Sequence, residues 1–423
     1  MREKKENIRS GRDKFNRPKC SKSNTNDRYR ALIMGWGSWV INYLQRMIVP
    51  ALLPLIIATF DASRSEAGAL MSATFIGYSL SIIAAGYLSD YISRKTIIVG
   101  GILFYSLTSL LIPLSGSLVS IIWLRLGTGI GLGTHIAASN ALISRYFPPG
   151  ERGRAIGFHE SGANIGFVLA FILVGLLGEK LGWSPIFLIT GFAGLLYCLI
   201  YWCVVREPLP RERKKLSFSL TKILRDYRSI LTDRSILLVI LTLAILYWGR
   251  NGICTFLPVY LMDTKGFGFA GAALIIWIIP AAGIPGKMLG GRLCDWLGRS
   301  TVLSVAFLIL SFSVLLLPVI RHRLVLWGLL ILFGFFSNAA SPPMYTLVTE
   351  LYENSQRGIA LGTVVGFAWL ISAFSPTLTG IVIDIYGYTV SFIIIAIIFG
   401  LGLLTIGKEG KHITRRIRDG KAY

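Results

Sequence analysis

The chain has 423 residues, of which 53% are hydrophobic and only 15% are charged, and its formal net charge is +22. A soluble protein of this length needs far more polar surface, and the apolar residues arrive in blocks of about twenty, enough to cross ~30 Å of hydrocarbon as helix. A β-barrel would show short alternating segments instead, so we predict an all-α polytopic membrane protein.

The predicted elements form two halves. In chain order, we predict a basic tail over 1–30, a six-helix half over 31–205, a linker over 206–234, a second six-helix half over 235–407 and a basic tail over 408–423. The twelve predicted membrane spans, numbered 1 to 12, are residues 31–60, 68–88, 96–115, 118–146, 155–178, 185–205, 235–262, 270–292, 301–319, 324–350, 359–383 and 389–407. The first thirty residues hold no apolar core, so we do not expect a signal peptide.

The positive charge is distributed unevenly between the two sides of the predicted bundle. With both termini on one side, 34 of the 43 Lys and Arg fall on that side, in the tails and the even-numbered connections. This bias predicts a multi-pass protein of the plasma membrane with both termini in the cytoplasm. We expect the tails to contact anionic lipid and expect no nucleic-acid partner. The five scattered cysteines lack metal-ligand spacing, so we predict neither a metal nor a cofactor.

The two halves repeat one sequence pattern at an offset of 204 or 205 residues. Tyr43-Leu-Gln-Arg46 returns as Tyr247-Trp-Gly-Arg250, and proline follows each arginine by eight residues. Six spans per half is an even number, so we predict parallel repeats related by an axis along the membrane normal. Such halves place a solute site between them near mid-bilayer, and rocking one half against the other gives alternating access.

The repeated arginines are the main candidates for binding a solute. Arg46 and Arg250 each lie about fifteen residues into a span, which puts both just over ~20 Å from the cytoplasmic end. A guanidinium is always charged and suits a carboxylate or phosphate bidentately, so we predict a small anionic solute. The alternative is that each arginine is a structural partner for a buried acid or for helix-end carbonyls, but Glu160 is the only acid well inside a span. The neighbours expected to bind hydroxyls or orient the guanidinium groups are Asn42, Tyr43, Tyr247 and, on span 5, Asn164.

Other in-span groups suggest supporting roles. Glu160 is the first candidate for proton coupling, with a fixed salt bridge as the alternative, and His159 and His135 are further candidates. We expect Arg125 to shape span 4 and the outer vestibule. Lys287 lies towards the cytoplasmic end of span 8, where its ammonium can snorkel to the interface.

Two loops resemble a known signature. Gly86-x-x-x-Asp90-x-x-x-Arg94 and Gly291-x-x-x-Asp295-x-x-x-Arg299 resemble the signature loop of the major facilitator superfamily, although Tyr91 and Trp296 replace its basic residue. The resemblance implies the twelve-helix fold of that family. A carboxylate in such a loop can pair with an arginine and a helix N-terminus across the two halves. We therefore predict a cytoplasmic latch that involves Asp90, Arg94, Asp295 and Arg299.

Two branches of the superfamily are similar to this chain. The segments around Arg46 and Arg250 resemble the organophosphate:phosphate antiporters, and Asn42-Tyr-x-x-Arg46 together with the Arg125 region resembles the anion:cation symporters. The symporters place acids where this chain has Gln45 and Leu132, which leaves proton symport by that route without its usual groups. The resemblance implies a secondary transporter of a sugar phosphate, sugar acid or other carboxylate.

Exchange of one anion for another needs the fewest extra parts, with proton or inorganic phosphate as the possible coupling ion. The alternatives are a proton-coupled exporter of other small molecules and a non-transporting membrane anion sensor. No catalytic cluster is recognisable, so we do not expect an enzyme, and we expect a functional monomer.

Overall fold

A computed structural model describes residues 25–88, 92–207, 220–352 and 357–418, and these residues form a bundle of α-helices. The helices of the first half are α1 (Thr25–Phe60), α2 (Arg64–Leu88), α3 (Arg94–Leu111), α4 (Leu118–Gly133), α5 (His135–Tyr146), α6 (Pro149–Leu181) and α7 (Trp183–Val204). The linker helix is α8 (Leu220–Leu231). Those of the second half are α9 (Arg234–Lys265), α10 (Phe269–Ile276), α11 (Ile278–Leu297), α12 (Arg299–Leu316), α13 (Arg323–Ala339), α14 (Ser341–Leu351), α15 (Arg357–Ser372) and α16 (Ser375–Arg418).

Twelve passes of the chain account for these helices, as predicted. Ten stretches within the described ranges are long and apolar enough to cross a membrane, and the last of them covers residues 359–407. Span 4 is not among the ten because it consists of two shorter helices, α4 and α5, that meet at Thr134. The last stretch contains two passes, because helix α16 is interrupted at Gly387, whose φ of 79° lies in a region that favours glycine.

The reversal at Gly387 is visible in the contacts on either side of it. We call the end of the bundle where α1 begins the proximal end and the opposite end the distal end. Asp384 contacts Arg64 at the distal start of α2, whereas the hydroxyl of Thr405 bonds with that of Thr242 at 2.8 Å, well back along α9. The chain therefore runs towards the distal end before Gly387 and returns after it.

Glycines allow two helices of the first half to pack in backbone contact. A Cβ on Gly77 would collide with the carbonyl oxygen of Leu126, and one on Gly129 would collide with that of Thr74. This close approach of α2 and α4 is the small-residue packing expected of membrane helices. It also brings Thr74 of α2 to Arg125 of α4, which matters for the site described below.

The two halves are joined at the distal end. Asp384 accepts hydrogen bonds from the backbone N–H groups of Arg64 and Ser65, at 2.9 and 2.8 Å, and so caps the N-terminus of α2 from the other half. The side chain of Arg64 forms an ion pair with Asp263 at 2.7 Å, and Asp263 also accepts from the hydroxyl of Tyr388. At its N-terminus, helix α2 thus binds the second half through a cap and an ion pair, and further along through Ser72, which accepts from Thr377.

At the proximal end, several contacts stay within the first half or reach the linker. Glu207 accepts from the backbone N–H of Arg94 at 3.2 Å and lies 3.7 Å from a guanidinium nitrogen of Arg145. The linker helix α8 docks on α2, because the hydroxyl of Tyr227 donates to the carbonyl of Ile83 at 3.0 Å.

The predicted latch is only partly within the described residues. Asp90 lies outside them. Arg94 and Arg299 are the first residues of α3 and α12, and Asp295 is exposed near the end of α11. Asp295 forms no ion pair with a described residue, so the latch stays a prediction.

Candidate functional site

Arg46 is fully buried in a cage of aromatic rings. Its guanidinium carbon lies 4.0 Å from the ring centroid of Tyr78, 4.3 Å from that of Trp369 and 5.0 Å from that of Phe75. None of its three guanidinium nitrogens has a hydrogen-bond partner in the structure. Contacts with aromatic faces offset part of the cost of burying a cation but satisfy no N–H donor. Arg46 therefore holds a buried positive charge that no described acid neutralises.

Arg250 is partly buried and faces a cavity between the two halves. Its guanidinium carbon lies 5.1 Å from the ring centroid of Tyr247 and 5.6 Å from that of Trp369. It forms no ion pair with a described residue. Because both guanidinium carbons lie against the indole of Trp369, the two arginines occupy one neighbourhood at the interface of the halves.

Trp369 is held in place by a tyrosine pair. Its ring stacks on Tyr247 with a centroid distance of 4.6 Å and an interplanar angle of 21°. The hydroxyl of Tyr247 in turn bonds with that of Tyr345. The indole is thus fixed from the second half while it covers an arginine of the first.

The cavity combines cations, amides and an apolar wall. Five of its lining residues carry amide or cationic groups, namely Asn164, Arg250, Asn251, Lys287 and Asn338. Much of the remaining wall is aromatic or aliphatic and includes Tyr43, Met47, Phe167, Ile279 and Trp369. Residues of both halves contribute, and none of the described lining residues is acidic. The space inside is small in this structure, but the chemistry of the lining suits a molecule that carries negative charge on an apolar body.

The predicted polar neighbours of the arginines divide into two groups. Tyr43 and Asn164 line the cavity, and the amide N–H of Asn164 donates to the carbonyl of Pro280 in the second half at 2.7 Å. Asn42 is fully buried and donates to the carbonyl of Leu132 at 3.0 Å, which ties α1 to α4. Tyr247 is buried in the stack on Trp369. Only the first group is placed to contact a bound solute in this structure.

Arg125 is buried rather than exposed in an outer vestibule. Its Nε donates to the hydroxyl of Thr74 at 3.0 Å, and Nη1 donates to the backbone carbonyl of Gln45 at 3.3 Å. The close packing of α2 on α4 encloses the side chain of Arg125. The sequence had suggested a position at the outer vestibule instead. Nη2 has no hydrogen-bond partner in the structure. Because Nη1 bonds to the residue before Arg46, Arg125 places a second cation close to Arg46.

The proton-coupling candidates lie on the inner faces of α5 and α6. Glu160 is partly buried, and its carboxylate accepts from the amide of Asn140 at 3.5 Å. His135 and His159 are buried with ring centroids 5.5 Å apart, and both pack on Trp39. Neither ring nitrogen of His159 has a partner in the structure. Glu160 forms no ion pair with a described residue, so the fixed salt bridge considered as its alternative is not seen here.

Sequence reasoning missed several cavity residues, among them Asn251, Lys287, Asn338 and Trp369. Lys287 was expected to snorkel towards the interface, but its side chain lies on the cavity wall. Pro280 and Lys287 both line the cavity and are separated by two helical turns, so they share one face of α11. The cavity position of Lys287 could have been predicted from its place within an apolar span, since charged residues there usually face a bundle interior or a cavity.

Comparison with known proteins identifies the family to which the chain belongs. A model of the Major Facilitator Superfamily matches residues 36–350 and 297–418. The chain is 27% identical to a cis,cis-muconate transport protein of Acinetobacter baylyi, over 83% of this chain and 86% of that protein. It is 26% identical to a D-galactonate transporter of Escherichia coli, over 89% of this chain and 94% of that protein.

A solved structure shows the same fold. The chain matches a bacterial homologue of the human lysosomal transporter Spinster, solved in an inward-facing and occupied conformation, with a TM-score of 0.78. The match covers 92% of this chain and 98% of that one at 19% identity, so it speaks for the fold alone.

Proposed function

Because the chain belongs to the Major Facilitator Superfamily and is a transport protein rather than an enzyme, we propose that it carries a small organic anion across the plasma membrane by alternating access. We propose that the anion is held between Arg46 and Arg250, with both chain termini in the cytoplasm. The relatives named above transport organic acids, which supports an organic anion as the solute class.

This proposal rests on the two arginines at the interface of the halves, which form no ion pair with a described residue. A charge inside the hydrocarbon layer is expensive, and such residues normally mark a substrate or ion pathway. Arg250 is open to the cavity, whereas Arg46 lies behind the ring of Trp369. In the proposed cycle, the anion first pairs with Arg250, and the indole moves aside when the distal end opens.

Exchange of anions is the proposed mode of transport. Each acid group of a bound anion neutralises one of the cations, whereas an empty cavity keeps all of its positive charges and resists re-orientation. Proteoliposomes that contain the purified protein test this directly. Uptake of a labelled carboxylate should depend on unlabelled anion inside the vesicle and should be lost in Arg250→Ala. Equal uptake with and without internal anion would contradict exchange.

The proton is a second proposed coupling ion, with Glu160 as the residue that carries it. Its partly buried carboxylate has no cationic partner among the described residues, so we propose that it takes up a proton during transport. An imposed pH gradient should stimulate uptake by the wild-type protein and have no effect on Glu160→Gln. Glu151→Gln is a suitable control, because that carboxylate pairs with Arg28 away from the cavity. Equal stimulation of Glu160→Gln and the wild type would exclude this role.

A further inference from the structure

The cavity holds a second open cation that the role of Arg250 does not explain. Lys287 is partly buried, lines the same cavity and makes neither a hydrogen bond nor an ion pair with a described residue. Since the described part of the lining contains no acid, the wall carries two positive charges without a counter-charge from those residues. Like charges in a low-dielectric site repel, so a ligand with two negative charges stabilises this wall more than a ligand with one.

The two cations lie at different depths in the bundle. Arg250 follows the proximal start of α9 at Arg234 by ~24 Å, and Lys287 precedes the proximal end of α11 at Leu297 by ~15 Å, at 1.5 Å per residue. The two Cα atoms therefore differ in depth by ~9 Å, which exceeds the size of a single carboxylate or phosphate group. A molecule with one acid group at each end fits this difference better, because each group then meets its own cation.

The remaining polar groups of the cavity offer few donors to a ligand. Amide N–H groups of its three asparagines donate within the protein, namely Asn164 to Pro280, Asn251 to Ser372 and Asn338 to Gly334. The rest of the wall is largely apolar, with rings from Phe167 and Trp369. Polyhydroxylated ligands need many hydrogen-bond partners to replace lost water. The cavity therefore favours a ligand that concentrates its polarity at its two ends.

From these observations we infer that Lys287 is a substrate-binding residue and that the transported anion is a dicarboxylate. In the state described here, before the indole uncovers Arg46, one carboxylate pairs with Arg250 and the other with the ammonium of Lys287, while the carbon skeleton lies against the apolar wall. This inference rests on the proposed function, because it takes Arg250 as the anchor of an organic anion.

The main alternative is that Lys287 only raises the electrostatic potential of the cavity. Removing its charge would then weaken every anion alike, whether the anion has one acid group or two. A direct pair with the second carboxylate predicts a loss confined to dicarboxylates. The two cases separate when each dicarboxylate is compared with its own monomethyl ester, which keeps the skeleton and removes one charge.

The experiment measures binding to the purified full-length protein in detergent by calorimetry. The probes are fumarate, trans,trans-hexa-2,4-dienedioate and benzene-1,4-dicarboxylate, each with its monomethyl ester. For the tightest pair, the wild-type protein should prefer the dicarboxylate by about tenfold or more, as expected for one charge-assisted hydrogen bond. Lys287→Gln should bring this ratio close to one by weakening the dicarboxylate only. Lys287→Arg, which keeps the charge, should retain the preference.

Lys180→Gln is the matched control, because Lys180 is exposed at the distal end of α6, and it should leave both affinities unchanged. The melting temperature of ligand-free Lys287→Gln shows whether that variant is folded. A wild-type ratio near one, equal weakening of both probes in Lys287→Gln, or no binding of any dicarboxylate at millimolar concentration would overturn the inference. An ester affinity that is unchanged in Arg250→Ala would instead count against the proposed function.

Discussion

Arg46 and Arg250 occupy equivalent positions in the sequence repeat but very different surroundings in the fold. Arg46 is enclosed by rings that include Trp369, whereas Arg250 opens onto the central cavity. At the repeat offset of 205, the counterpart of Trp369 is Asn164. The large indole covers the arginine of the first half, and the small amide leaves that of the second half open. A repeat can thus conserve a charge while one exchanged neighbour decides which copy is reachable.

The largest effect should come from removing the open arginine. We expect Arg250→Ala to weaken binding of the best carboxylate about 100-fold, because a direct charge pair in a partly dry site is lost. Calorimetry on the purified protein measures this. The matched variant Arg46→Ala should weaken binding far less in the state described here. Equal losses in the two variants would mean that the two arginines are equivalent in binding.

Uncovering the buried arginine should sharpen the comparison. We expect Trp369→Asn, which copies the residue of the first half, to raise the rate at which an arginine-specific glyoxal reagent modifies Arg46 by about tenfold. The physical reason is that an amide replaces the ring over one side of the guanidinium. Peptide mass spectrometry follows modification of Arg46 and Arg250 separately. Arg250 serves as the internal control, and an unchanged rate at Arg46 would show that other rings suffice to shield it.

Opening the distal end tests whether the asymmetry belongs to one conformation. Asp384→Ala removes the cap on α2, which is worth about 1 kcal/mol, and should shift the population of the open state about fivefold. Ser72 bonds to Thr377 across the two halves. In a protein without native cysteines, Ser72→Cys should be labelled faster by a maleimide when the distal end opens. Glu66→Ala, a nearby cap within the first half, is the control. Unchanged labelling in Asp384→Ala would mean that the cap does not hold the halves together.

The smallest effect concerns stability. Arg46 is a buried cation whose guanidinium nitrogens have no partner, so Arg46→Met should raise the melting temperature of the ligand-free protein by roughly 2–4 °C. Scanning fluorimetry measures the shift. Arg250→Met should give little change, since water already reaches that guanidinium through the cavity. A lower melting temperature in Arg46→Met would show that the aromatic contacts outweigh the cost of the unsatisfied donors.

The sequence predicted the fold more completely than the site. Span lengths and the repeat were enough for twelve helices, because backbone groups in hydrocarbon must be satisfied within each helix. Spacing along one helix also predicted matched depths for Arg46 and Arg250, and both guanidinium groups do contact Trp369. This spacing did not show that Trp369 of a distant span would cover Arg46, or that Arg125 would be enclosed by the approach of α2 to α4.

Lys287 shows that the sequence does not predict which way a side chain points from its helix. Its position in the chain is compatible both with a side chain that reaches the interface and with one that faces the cavity. The choice depends on which face of α11 packs on α13, where Gly286 lies against the backbone of Phe335. That packing follows from contacts between distant residues, which a single sequence does not reveal.

The cap that Asp384 places on α2 restricts how this contact can change during evolution. Asp384 accepts both of its hydrogen bonds from backbone N–H groups, those of Arg64 and Ser65. Only proline lacks this group, so any other substitution at those two positions keeps the donor. A charge swap between residues 384 and 64 therefore cannot restore the contact as it can for a pair of side chains. Tolerated replacements at position 384 should be limited to side chains that accept hydrogen bonds at the same reach, such as asparagine.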